Sequence, residues 1–182
     1  MELAGKERQA LLKLARDTVA NRLAGKEAPV PPAEPEIMRE SRGAFVCVKK
    51  RGNLRGCIGY IQAVKPLALA ISEMAEAAAF QDPRFPPLQR EELPGLSFEI
   101  SVLSPLKQIT DVNEIEVGIH GLYIAKGHRS GLLLPQVAGE YGWDRQTFLE
   151  QTCFKAGLPP TAWNDPTTKI FIFSADVFGD ST

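Results

Sequence analysis

Hydrophobic and polar positions fall into stretches of clearly different period. Leu11, Leu14, Ala15, Val19 and Leu23 recur every three to four residues, which predicts an amphipathic helix. Gly25 stands where a left-handed C-terminal cap belongs. Pro29, Pro31, Pro32 and Pro35 then remove backbone donors and predict an extended surface connector. From Ala44 to Lys49 the period changes to two, with Ala44, Val46 and Val48 opposite Phe45 and Cys47, as in a strand. Arg51-Gly52-Asn53 reads as a turn, and Leu54 to Ile61 as the returning strand of a hairpin. Pro66 then opens a second, alanine-rich helix with a stripe of Leu67, Ile71, Met74, Ala75 and Ala78. Asp82-Pro83-Arg84-Phe85-Pro86-Pro87 ends it in a constrained loop.

The most regular alternation follows. Leu96, Phe98, Ile100 and Val102 face one way, and Ser97, Glu99 and Ser101 the other. Ile119–Ala125 and Leu132–Leu134 flank turn residues 126–131 and predict a second hairpin. Gln136 and Glu140 share a face of a short helix ending near Gly142. Asp144 is placed to cap a helix carrying Phe148, Leu149, Cys153 and Ala156 and closing at Gly157. Lys169 to Phe178 reads as one final strand. Strands joined by tight turns pair antiparallel, so the predicted class is α+β, with antiparallel sheets and packed helices. The 182 residues fit a single domain, residues 1–182.

Composition narrows the function classes. A formal net charge of −1 excludes a globally basic nucleic-acid wrapper. No apolar run approaches the roughly 18 residues of a membrane span, and residues 1–6 lack the core of a signal peptide. Cys47, Cys57 and Cys153, odd in number and without CxxC spacing, predict reduced thiols in a cytoplasmic protein. His120 and His128 do not match zinc spacing, and HExxH, phosphate-loop, dinucleotide and GxSxG patterns are absent. Neither a metal nor a cofactor is therefore expected.

The segment Leu54-Arg55-Gly56-Cys57-Ile58-Gly59 concentrates the candidate chemistry. On a regular strand Arg55, Cys57 and Gly59 share one face. Arg55 and Cys57 are then about 7 Å apart, where a guanidinium favours a thiolate. Gly56 and Gly59 leave room for a ligand or another backbone. The plainer alternative is a buried small thiol beside a glycine bulge. Cys47 and Cys153, on apolar stripes, read as structural. His120, between Gly118 and Gly121, is the candidate base for Cys57, whereas His128 reads as a solvated turn residue. Arg84 and Glu99 are candidate ligand contacts, with an ion pair or a solvated role as the alternative. Arg42, Lys49, Lys50, Arg51 and Arg55 form a basic run without an intervening acid. Such a run suits a phosphate-bearing partner or a solvated rim, and with Phe45 and Tyr60 as its few aromatics, nucleic acid is the weaker option.

The hexapeptide Leu54–Gly59 resembles the hallmark motif of the AMMECR family, whose prokaryotic members are called AmmeMemoRadiSam system protein A. Asp82-Pro83-Arg84-Phe85, Glu99 to Pro105, Gly118-Ile119-His120-Gly121, Leu133 to Ala138 and Trp143 to Leu158 are similar as well. The resemblance implies two subdomains in one compact α+β unit, the larger built from both chain ends, with the hexapeptide near a cleft. It also implies a link to a Memo-like protein and a radical S-adenosylmethionine (radical SAM) protein. It implies no established reaction, so function has to be argued from the site. Three readings follow: an enzyme using Cys57 on a small or nucleotide-like substrate, a binding or accessory protein for a radical SAM enzyme or nucleic acid, and a purely structural hexapeptide.

Overall fold

A computed structural model describes residues 3–180. In chain order the elements begin with α1 (Gly5–Leu23), β1 (Ala44–Lys50), β2 (Asn53–Tyr60), α2 (Leu67–Phe80) and β3 (Leu96–Leu103). They continue with β4 (Lys107–Ile109), β5 (Gly121–Lys126), β6 (Arg129–Leu133), α3 (Pro135–Tyr141), α4 (Arg145–Lys155), β7 (Lys169–Phe173) and β8 (Ala175–Gly179). Two sheets of four strands, ordered β2-β1-β3-β8 and β4-β7-β5-β6, make this an α+β protein with antiparallel ladders. The chain divides into two compact units, one running to Leu103 and resuming at Asp176, the other spanning Ser104–Ala175.

In the first unit α2 packs on β1 and β2, and α1 packs on α2 and β3. The period-two residues explain the arrangement: Ala44, Val46, Val48, Phe98 and Ile100 are buried in one core with Leu67 and Ile71 of α2. Leu11, Leu14, Ala15 and Val19 bring the buried stripe of α1 into that core. Gly25 adopts φ +71° just past the helix, as its position in the sequence requires. Where the two helices meet, Thr18 and Ser72 pair through their hydroxyls at 3.2 Å.

The second unit folds around Ile115, Leu122, Ile124, Phe148, Leu149 and Ile172. Asp144 caps α4 by accepting the Thr147 N–H at 2.7 Å, and Gly142 at φ +65° ends α3. The apolar run expected to be one strand, Lys169 to Phe178, is two: β7 pairs with β4 and β5, and β8 joins the first sheet beside β3. Ser174 lies at the change of sheet, where Ser104 donates its N–H to the Ser174 carbonyl and the Ser174 N–H donates back to Ser104 Oγ. Apolar character continues through this crossing, so periodicity alone does not mark it. No helix among the described residues is long and apolar enough to cross a membrane.

Candidate functional site

The residues that hold Cys57 come from the loop following α2. β2 is an edge strand, so outward-facing backbone groups need partners or water. The N–H of Cys57 donates to Asp82 Oδ2 at 3.0 Å, and its carbonyl accepts from Arg84 Nη2 at 3.4 Å. Asp82 is 4% exposed and also accepts from the Arg84 N–H at 3.0 Å, Nε at 3.0 Å and Nη2 at 2.8 Å. The Arg84 guanidinium, helped by the Cys57 N–H, holds the Asp82 carboxyl well below the usual carboxylate range despite its burial. Pro83 stiffens this clamp by fixing φ between the two charged residues. The loop thus forms an ion pair that fastens the sheet edge at Cys57.

Both edge-facing backbone groups of Cys57 turn away from β1, so it forms a non-hydrogen-bonded pair with the residue opposite. That residue is Cys47, at a Cα–Cα distance of 4.0 Å, and the two sulfurs are bonded. The expectation of reduced thiols is therefore corrected: Cys57 is not a free thiolate here, and Cys47 is not an isolated packing residue. Cys153 is the free cysteine among the described residues; it is fully buried, and burial pushes its thiol pKa up.

A one-residue bulge decides this pairing. Lys50 faces Asn53 and Lys49 faces Leu54, but Val48 faces Gly56 and Cys47 faces Cys57. Arg55 is the extra residue, and the bulge breaks the two-residue period that would have aligned it with Cys57. Its guanidinium instead binds Glu92, with Nε–Oε1 at 3.1 Å and Nη2–Oε2 at 3.2 Å. Lys50 reaches the same carboxylate at 3.0 Å. Arg55 side-chain exposure is 12%. Arg55 is therefore held in an ion pair with Glu92. The Phe85 ring has two guanidinium neighbours, Arg55 at 5.9 Å and Arg84 at 5.5 Å.

At the two glycines, protein atoms already occupy the place of a side chain. A Cβ on Gly56 would stand 1.9 Å from the Ala78 carbonyl oxygen of α2. One on Gly59 would stand 2.3 Å from the Phe45 ring. Glu99, directly opposite Cys47 on β3, accepts from Lys49 Nζ at 3.0 Å. The basic run is likewise not acid-free once folded: Glu40 takes Arg42, Glu99 takes Lys49, and Glu92 takes Lys50 and Arg55. Arg51, at φ +51° in the turn, is left without an acidic partner among the described residues. His120 belongs to the second unit, where its Nδ1 accepts the N–H of Glu116 at 3.0 Å and closes a tight turn.

The fold meets its counterpart among known proteins. The AMMECR1 family model matches residues 12–178, and the chain belongs to that family. A protein of Methanothermobacter thermautotrophicus is 45% identical, over 97% of this chain and 95% of its own. A protein of Aquifex aeolicus is 46% identical, over 92% and 90%. The crystal structure of the uncharacterized protein PH0010 from Pyrococcus horikoshii superimposes with a TM-score of 0.87 at 42% identity, covering 94% of this chain and 90% of that one. None of these names carries an activity.

Proposed function

We propose that this protein is an enzyme whose reactive group is Cys57 in its reduced form, making a transient covalent contact with a small or nucleotide-like substrate. One observation carries the reading: the Asp82–Arg84 clamp fixes both backbone polar groups of an edge-strand cysteine whose sulfur lies on the sheet face opposite the helices. A nucleophile held to its scaffold in this way is positioned without side-chain support, which is what covalent catalysis asks of a site. The family resemblance adds the setting, a link to a Memo-like protein and a radical SAM protein. His120 is not a part of the reading, since its ring is engaged within its own turn. The accessory alternative, docking a polyanion on the basic hairpin, is disfavoured because three carboxylates, Glu40, Glu92 and Glu99, engage four of its five cations.

Alkylation of the reduced protein by iodoacetamide, resolved cysteine by cysteine by mass spectrometry, tests the reading. Cys57 is expected to be modified several-fold faster than Cys47, with Cys153 protected until unfolding. In Arg84→Ala the preference for Cys57 should shrink. Modification of Cys57 no faster than Cys47, or protection equal to that of Cys153, overturns the proposal.

A further inference from the structure

We propose that Cys47 and Cys57 form a dithiol–disulfide couple that exchanges electrons with low-molecular-weight thiols and disulfides, with Cys57 as the attacking cysteine and Cys47 as the resolving one. The proposal rests on the reading of Cys57 as the reactive group and adds the reaction class. It starts from the strand order, β2-β1-β3-β8, which runs the sulfur–sulfur vector across the sheet from β1 to its edge. Displacement at sulfur proceeds in line with the bond being broken, so access from the two ends differs. Behind Cys47 lies β3, with the Glu99 carboxylate and its Lys49 partner directly opposite. An incoming thiolate there meets the neighbouring strand and its paired side chains. Behind Cys57 lies the sheet edge, where Asp82 is neutralised by Arg84 and the Arg84 side chain is 56% exposed. A thiolate approaching Cys57 meets that guanidinium rather than an unpaired carboxylate.

The chemistry is complete without a further reagent. The reduced Cys57 attacks one sulfur of a small disulfide RSSR; the protein–substrate disulfide forms and RS⁻ leaves, taking up a proton. Cys47 then attacks the Cys57 sulfur, the Cys47–Cys57 bond forms, and the second RS⁻ leaves with the remaining proton. Two electrons pass from the two protein thiols to the substrate disulfide, which becomes two thiols. The reverse sequence reduces the protein. The second step needs Cys47 within bonding reach of Cys57, and the bulge provides this by placing the two directly opposite each other on neighbouring strands.

Incubation of the fully reduced protein with glutathione disulfide, followed by acid quenching and mass spectrometry, tests the inference. Wild type is expected to end with Cys47–Cys57 joined and two glutathione molecules released per chain. Cys47→Ser should instead accumulate the mixed disulfide on Cys57, and Cys57→Ser should react about ten-fold more slowly at Cys47. Far-UV circular dichroism of both variants establishes that they are folded. If wild type stops at the Cys57 mixed disulfide, just as Cys47→Ser does, the couple is refuted while Cys57 remains the reactive group. If Cys57 forms no adduct and is also not alkylated ahead of Cys47, both the couple and the proposed function fall. A Cys47–Cys57 bond that forms with a strong oxidant but not with glutathione disulfide marks a structural staple, and overturns the exchange activity.

Discussion

Replacing Gly56 by alanine tests the packing that sets the candidate site. The added Cβ would lie 1.9 Å from the carbonyl oxygen and 2.9 Å from the carbonyl carbon of Ala78. Both are backbone atoms of α2, which is packed between the sheet and α1 and has no rotamer to change. Ordinary contact requires the strand and helix to separate by roughly 1.5 Å. Overpacking of this kind costs about 1–3 kcal/mol when side chains can yield, so a backbone clash belongs at or above the top of that range. Two other glycines calibrate the measurement. Gly52 has open space but φ +81°, so Gly52→Ala should cost about 1 kcal/mol from backbone strain alone. Gly139, helical within α3 and also in open space, should become slightly more stable as alanine, by roughly 0.5–1 kcal/mol. Urea unfolding with reductant present, followed by far-UV circular dichroism, gives the three values. The chain's two tryptophans, Trp143 and Trp163, both lie in the second unit, so their fluorescence reports separately on a region the Gly56 clash does not touch. A Gly56→Ala cost no larger than that of Gly52→Ala would refute the close approach of β2 to α2.

Three further expectations follow from the same contacts. Asp82→Ala leaves the Cys57 N–H without its acceptor and Arg84 without its partner; a loss of about 3 kcal/mol is expected in urea unfolding, and a loss under 1 kcal/mol would contradict the clamp. The Glu92 carboxyl, bonded by Arg55 and assisted by the Gln89 N–H and Lys50, has its pKa lowered from 4.5 to about 2 in the folded state. Its stabilisation is therefore complete above the unfolded value and fades as pH falls from about 4.5 toward 2. Thermal unfolding of Glu92→Gln should accordingly lose the part of the wild-type pH dependence that lies in this window. Reduction of Cys47–Cys57 opens a loop with a sequence separation of 10, which loop-closure entropy values at about 3 kcal/mol at most. Because the hairpin is also held by backbone pairing, the reduced protein should stay folded; unfolding on reduction at 25 °C would show the bond to be obligatory.

Most of the fold is legible in the sequence because its signals are local. Helical stripes at Leu11–Val19 and Leu67–Ala78, the alternation at Leu96–Val102 and the Asp144 cap each depend on a few neighbouring residues. The candidate site is less legible because a bulge, which leaves no mark in hydrophobic periodicity, controls it. Counted back from a regular Lys50–Asn53 turn pair, Cys47 would face Gly56, and Arg55 and Cys57 would share a side. One inserted residue reverses both outcomes, bringing the two cysteines together and sending Arg55 to Glu92. The ion pairing of the basic hairpin is hidden for a different reason. Glu92 and Glu99 lie some forty or more residues beyond the lysines they bind, so only the tertiary fold pairs them. Asp82 and Arg84, by contrast, are two residues apart in a proline-fixed loop, and their ion pair could be read directly from that spacing.

Disulfide mapping bears most directly on the site. The protein, treated with a mild oxidant while folded, is digested without reductant and its linked peptides are identified by mass spectrometry. The structure requires a cross-link between the peptide carrying Cys47 and the one carrying Cys57, with Cys153 unmodified. A folded protein that leaves both hairpin thiols free, or that links either of them to Cys153, contradicts the bulged register on which the proposed chemistry stands.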